Sequence, residues 1–131
     1  MTEINVWAVL VAAVSSFLLG GVWYSKSLFG PAWGCAAGVS MESKHGHPAR
    51  VFGVSFFFAL VAAGAFAWWL GPQPPLQFAL ERALVVGLGF VATSFGINYQ
   101  FADRKSAMWL IDAGYHAVQF LVFGLVLGLW H

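Results

Sequence analysis

The last long apolar stretch of the chain, residues 107–130, contains the side chains best suited to chemistry. Asp112, His116 and Gln119 interrupt an otherwise almost entirely apolar run. Because a helix turns by about 100° per residue, these three side chains share one sector of about 60°. We call them the polar stripe. A carboxylate, an imidazole and an amide on successive turns can relay protons, line a hydrated crevice or join neighbouring helices, and Tyr115 adds a phenol beside them.

Two interpretations of the polar stripe remain open. A charged side chain in mid-bilayer costs roughly 2.5–3.5 kcal/mol on insertion scales, so the stripe needs either a function or partners. In the first interpretation it faces a hydrated cavity and carries protons or a small polar solute. In the second it packs against other helices, and Asn98, Tyr99 and Gln100 are candidate partners at the same membrane level. Asp112 could also reach the interface or pair with Lys105, which projects from the same sector two turns earlier. We place transport first, and an accessory or assembly role with an unidentified membrane partner second.

Arg82 is the second candidate feature. It follows Glu81 near the start of the third long apolar run. A long basic side chain there reaches the membrane surface by snorkelling, and an anion-attracting mouth is the alternative. On a regular α-helix Arg82 would share one sector of about 60° with small and polar residues, namely Gly89, Thr93, Gly96 and Gln100.

Other chemistry finds little support in the sequence. His45, His47 and Glu42 lie close together, but a metal site needs three or four well-spaced ligands, so we predict neither a metal nor another cofactor. We find no nucleophile–base pair, no glycine-rich phosphate loop and no paired carboxylates. The sequence therefore does not predict an enzyme.

The composition indicates a membrane protein. Of 131 residues, 60% are hydrophobic and 8% are charged, and the mean hydropathy is +0.79. A soluble domain carries roughly 25% charged residues. Membrane lipids are thus the expected surroundings. The net charge of +1 comes without a basic tract, which argues against nucleic acid, and a single cysteine, Cys35, excludes an internal disulfide.

The long apolar runs predict an all-α fold in a single membrane domain, residues 1–131. A helix of about 20 residues crosses a bilayer core of about 30 Å. We predict four transmembrane helices at about 5–24, 49–70, 78–99 and 107–130. Between the first two, glycines and a proline break up an apolar segment that is too short to span. We expect this segment to lie in the interface, with Phe29 and Trp33 turned inward.

The tryptophans fall near the predicted span ends. An interfacial aromatic belt accounts for this placement without an aromatic ligand site. The residues concerned are Trp7, Trp23, Trp33, Trp68, Trp69, Trp109 and Trp130.

Rows of small residues indicate close helix packing. Such rows let two helices approach each other in a membrane. One row lies on the first span (Ala12, Ser16 and Gly20), and another lies on the fourth (Ala113, Ala117, Gly124 and Gly128). They supply more packing surface than a pair of hairpins needs, so we predict a homo-oligomer.

The basic residues predict the orientation. Cytoplasmic loops of membrane proteins are enriched in lysine and arginine. Arg82 alone flanks one side of the membrane, whereas the other side has Lys26, Lys44, Arg50, Arg104 and Lys105. Both termini are therefore predicted outside the cytoplasm.

Three strings of residues resemble a known family over essentially the whole chain. They are Trp23-Tyr24-Ser25…Leu28-Phe29-Gly30…Ala32-Trp33, then Asn98-Tyr99-x-Phe101…Arg104, and Leu110-Ile111-x-x-Gly114-Tyr115. The chain resembles the bacterial membrane family called domain of unknown function 1761. This resemblance implies a four-span protein of the bacterial inner membrane, and it implies no activity.

Overall fold

The structure, a computed structural model, describes residues 4–38 and 48–130. Its helices are α1 (Val6–Trp23), α2 (Gly30–Ala37), α3 (Pro48–Leu70), α4 (Leu76–Leu84), a π-helical segment (Val85–Ala92), α5 (Thr93–Phe101) and α6 (Ser106–Leu129). The segments from α4 to α5 are continuous and form one span, Leu76–Phe101. The predicted all-α fold with four helices long and apolar enough to cross a membrane is confirmed.

Local sequence determines several helix ends. The side chain of Asn5 caps α1, because its oxygen accepts a hydrogen bond of 3.1 Å from the Ala8 backbone amide. Helices α2 and α3 are followed by Gly38 (φ 75°) and Gly71 (φ 85°) in the left-handed conformation that glycine tolerates best. The predicted interfacial segment contains the short helix α2.

Helix α6 lies at the centre of the fold. It is the most buried of the four spans. Helix α1 packs on one side of α6 and the third span packs on the other, while α3 packs chiefly on α1. The fourth span therefore contacts every other element, which suits it to carry the polar side chains.

The small residues of α6 are used inside the chain. A Cβ atom added to Gly124 would lie 2.9 Å from the carbonyl oxygen of Ala79. One added to Gly128 would lie 2.9 Å from the Cα of Leu76. Ala117 is equally close to the third span, since a Cβ on Gly87 would lie 2.9 Å from its Cα. This face of α6 is thus the seam with α4 and the π-helical segment.

The small residues of α1 are also covered within the chain. Ala12 and Ser16 are fully buried. A Cβ on Gly20 would lie 3.3 Å from the hydroxyl oxygen of Tyr115, and Ala113 is buried as well. Because both rows are occupied inside one chain, they leave no spare seam for a second copy. The small-residue rows therefore no longer support a homo-oligomer, which stays a prediction.

The π-helical segment was not foreseen from the sequence. Its i→i+5 pattern turns the chain less per residue than an α-helix does. A face calculated at 100° per residue therefore does not continue from Arg82 to Gln100. At the end of the segment, the indole Nε1 of Trp109 donates to the Ala92 carbonyl at 2.9 Å. The Thr93 hydroxyl approaches the Gly89 carbonyl at 2.9 Å. These side chains lie where π-helix gives way to α-helix.

Candidate functional site

Asp112 is the centre of the site. Only 7% of the residue is exposed. Its Oδ1 accepts a hydrogen bond of 2.5 Å from the Tyr24 hydroxyl. Its Oδ2 accepts one of 2.5 Å from the Tyr99 hydroxyl and one of 3.2 Å from Nε1 of Trp33. We call these four residues the Asp112 cage.

The three donors of the cage come from three separate segments. Tyr24 is the C-terminal cap residue of α1, Trp33 lies on α2, and Tyr99 lies on α5. The rings of Tyr24 and Trp33 also pack edge to face, with centroids 6.2 Å apart. One carboxylate on α6 therefore joins the first span, the short helix and the third span at one end of the bundle, which we call the Asp112 end.

Within residues 4–38 and 48–130, the hydrogen-bond partners of the carboxylate are neutral donors. An ionised aspartate only accepts hydrogen bonds, and phenol and indole groups supply them here. Lys105, the candidate partner, lies exposed in the turn before α6. No lysine or arginine within 4–38 or 48–130 forms an ion pair with Asp112. Hydrogen bonds to a charged group contribute about 1.5–3 kcal/mol each, enough to offset much of the cost of burying it.

A second layer of aromatic donors joins α1 to α6. Nε1 of Trp23 donates to the Ile111 carbonyl at 2.9 Å. Gly114 makes room for this indole, since a Cβ there would lie 3.1 Å from Cζ2 of Trp23. The Tyr115 hydroxyl donates to the Ser16 carbonyl at 3.0 Å. Both bonds keep the backbones of the two spans in register around Asp112.

The remainder of the polar stripe forms a separate pair. Nδ1 of His116 and Oε1 of Gln119 are 2.8 Å apart, and Gln119 is buried. The His116 ring stacks on Phe95 of α5, with centroids 4.9 Å and planes 18° apart. Gln119 is buried and His116 is half-buried, and their hydrogen bond joins them to each other and not to the Asp112 cage. The stripe thus divides into a carboxylate held by aromatic donors and an imidazole–amide pair.

The other predicted site residues lie apart from Asp112. Asn98 and Gln100 are exposed on α5, so Tyr99 is the one residue of this predicted trio that reaches the carboxylate. The Arg82 guanidinium carbon lies 5.4 Å from the Trp69 ring centre and 4.8 Å from that of Phe78. Arg82 is therefore held by aromatic faces at the opposite end of the bundle.

The structure also bears on the histidines. His45, His47 and Glu42 lie outside the described residues. Among the residues that the structure describes, no group of three or more histidines, cysteines, aspartates or glutamates is arranged to hold a metal ion.

Sequence reasoning missed three members of the site. The sequence places Trp23 and Trp33 near span ends, with Trp33 turned inward, but it predicts no hydrogen-bond partner for them or for Tyr24. The available signal was their place in the string from Trp23 to Trp33. The other two strings supply Tyr99 and the residues on both sides of Asp112. All three strings therefore meet at the Asp112 cage in the folded chain.

The four helices that are long and apolar enough to cross a membrane indicate a multi-pass membrane protein. Its residues 7–128 match the model of a family described as "Protein of unknown function (DUF1761)", and the chain belongs to that family. The resemblance drawn from the three strings is thereby confirmed. No curated protein and no solved structure matches the chain.

Proposed function

We propose that this protein is a non-catalytic accessory or assembly protein of the membrane, whose Asp112 cage fixes the packing of its spans. One observation carries the proposal. Both carboxylate oxygens accept hydrogen bonds from aromatic donors on three separate segments. A carboxylate engaged in this way maintains one arrangement of helices, and that arrangement defines the surface offered to a membrane partner.

The position of the cavities supports the same role. Cavities of about 400, 270 and 360 Å³ lie at the surface of the described chain. None of these three is lined by Asp112, His116 or Gln119. Asp112 and Gln119 are themselves buried, with 7% and 6% of each residue exposed, where a transport path would need water beside them.

Transport of protons or a small polar solute is the second candidate, and Tyr99 favours it. This residue lines the cavity of about 360 Å³ near the end of the third span. Its hydroxyl also donates to Asp112. A single side chain thus lies between an open groove and the buried carboxylate, as a gated proton path would require.

Cysteine labelling in native membranes separates the two candidates. Cys35 is exposed, so it is first replaced by serine. In that background Gln119→Cys is treated with a water-soluble maleimide, with Gln100→Cys as the exposed control. An assembly role predicts labelling of the control and protection at position 119. Labelling of both positions at similar rates would show a hydrated stripe and favour transport.

Proton flux gives an independent test. The purified protein is reconstituted into vesicles that contain a pH-sensitive dye, and a pH gradient is applied. An assembly role predicts the same slow leak for the wild type, for Asp112→Asn and for empty vesicles. A flux present in the wild type and lost in Asp112→Asn would overturn the assembly proposal.

We also propose that the Asp112 end faces the cytoplasm of a bacterial inner membrane. The greater number of lysines and arginines at this end supports the orientation. Gln100→Cys provides the test, again without Cys35. It should be protected from an impermeant maleimide in intact cells and labelled in inverted vesicles. The reverse pattern would place the Asp112 end outside.

A further inference from the structure

We propose that the groove between the end of the third span and the start of α6 binds the phosphate group of an anionic phospholipid. The cavity here has a volume of about 360 Å³. Its walls combine a cationic and polar side with an apolar side. The polar residues are Tyr99, Gln100, Arg104 and Ser106, and the apolar ones include Trp109 and Leu110.

Arg104 is the cationic group of the groove. Its backbone is fixed, because its amide donates to the Tyr99 carbonyl at 2.9 Å. Its side chain is exposed and forms no hydrogen bond or ion pair with a residue of the described chain. The guanidinium group offers paired N–H donors that match phosphate oxygens. Asp103 and Lys105 flank Arg104, so the turn keeps a net positive charge.

Two further groups add donors next to Arg104. Ser106 is the first residue of α6, and no side chain caps that helix end. Its hydroxyl is free of hydrogen bonds to the described parts of the chain, and the amino end of a helix favours an anion. Gln100 is exposed on the facing helix and carries an amide group. Together these groups provide a set of donors around one guanidinium.

The apolar side of the groove points to a lipid, and not to a soluble phosphate. Leu110 is 62% exposed and follows Ser106 by about one helical turn, so it gives an acyl chain an apolar surface beside the polar groups. The Nε1 of Trp109 donates a hydrogen bond to the Ala92 carbonyl, so the Trp109 ring forms a fixed wall of the groove. The groove lies where two spans end, which is the depth at which phospholipid phosphates are found.

Thermal unfolding of the protein in detergent tests the proposal. Dioleoyl phosphatidylglycerol is compared with dioleoyl phosphatidylcholine at equal concentrations. A ligand that binds only the folded state raises the unfolding temperature. We expect phosphatidylglycerol to raise it by several degrees and phosphatidylcholine to have little effect. Arg104→Gln should lose at least half of the shift. Arg50→Gln, which removes an exposed arginine outside the groove, should keep it.

The alternative outcomes are distinct. Equal shifts with both lipids, or equal losses in the two variants, would overturn the Arg104 site. The same shift with inorganic phosphate at a matched concentration would overturn the lipid assignment. Native mass spectrometry of phosphatidylglycerol adducts on wild type and Arg104→Gln provides a readout that does not depend on stability, and equal adduct numbers would contradict the proposal. None of these results depends on whether the polar stripe serves assembly or transport.

Discussion

Tryptophans at the two ends of the bundle are used in different ways. At the Asp112 end, Trp23, Trp33 and Trp109 each donate their Nε1 to an acceptor on another segment. At the opposite end, the tryptophans are exposed and donate to no residue of the described chain. These are Trp7, Trp68, Trp69 and Trp130. The second group fits the predicted interfacial belt, whereas the first group is half-buried and hydrogen-bonded within the chain.

The difference follows from the group that each end has to bury. Asp112 needs donors, and a large aromatic side chain supplies a donor together with apolar surface. Towards the opposite end no carboxylate among the described residues is buried, since Glu81 is exposed, and apolar packing holds the helices together. Phe123 is fully buried, and its ring lies 5.2 Å from that of Phe120. Four substitutions test this division between directional bonds and packing.

Replacing Asp112 by leucine should have the largest effect. The change removes the acceptor of three donors at once and leaves them unsatisfied. We expect the free energy of unfolding to fall by about 3 kcal/mol, since a bond to a charged group contributes about 1.5–3 kcal/mol in water and less in a membrane. Denaturant titration in detergent measures this. Asp112→Asn, which keeps one acceptor oxygen, should lose less. A leucine variant within about 1 kcal/mol of wild type would contradict a stabilising cage.

The seam between α4 and α6 should lose stability when a larger residue replaces one of its glycines. Gly124→Ala places a Cβ 2.9 Å from the Ala79 carbonyl oxygen, so the backbones of α4 and α6 must separate. We expect a loss of about 1–3 kcal/mol in the same titration, as for other overpacked cores. Gly64→Ala is the matched control, because a Cβ there meets nothing within 4 Å. If both variants lose the same stability, the seam is looser than the geometry indicates.

A single hydrogen bond of the Asp112 cage should contribute less to the free energy of unfolding, and its contribution should depend on whether Asp112 is present as the acceptor. Tyr99→Phe removes the hydroxyl that donates to Oδ2 of Asp112. We expect a loss of about 1 kcal/mol in the wild-type background. In the Asp112→Leu background the same change should be neutral or stabilising, because the hydroxyl already lacks its acceptor. Equal losses in both backgrounds would mean that the two residues are not coupled.

The fold could be predicted because membrane spans depend on length and hydropathy, which are local properties of the chain. The shared face of Asp112, His116 and Gln119 likewise follows from helix geometry alone. Their partners depend on how other segments approach. Trp33 reaches Asp112 from α2, which packs on α6 and buries Gly30 and Gly34. No local pattern specifies that approach.

The π-helical segment shows a second limit. Regular geometry predicts one continuous face from Arg82 to Gln100, but the segment Val85–Ala92 changes the rotation between them. Nothing in its apolar composition distinguishes it from an α-helix. The contact that accompanies it, between Gly87 and Ala117, is recognised only when the two helices are seen together.

The smallest effect is expected at Arg82, whose guanidinium group lies over the faces of two aromatic rings. Arg82→Gln removes a cation that lies over Trp69 and Phe78. A cation–π contact at an exposed site contributes about 0.5–1 kcal/mol, so the unfolding temperature should fall by a small but measurable amount. Arg50→Gln is the control, because Arg50 makes no such contact with a described residue. An equal effect in both variants would mean that charge alone matters. A larger loss of stability in Arg82→Gln than in Arg50→Gln, with Arg82→Lys between them, would show that the flat guanidinium matters. Arg82 would then join α4 to α3 through the Trp69 ring, much as the aromatic donors join their segments to α6 through Asp112.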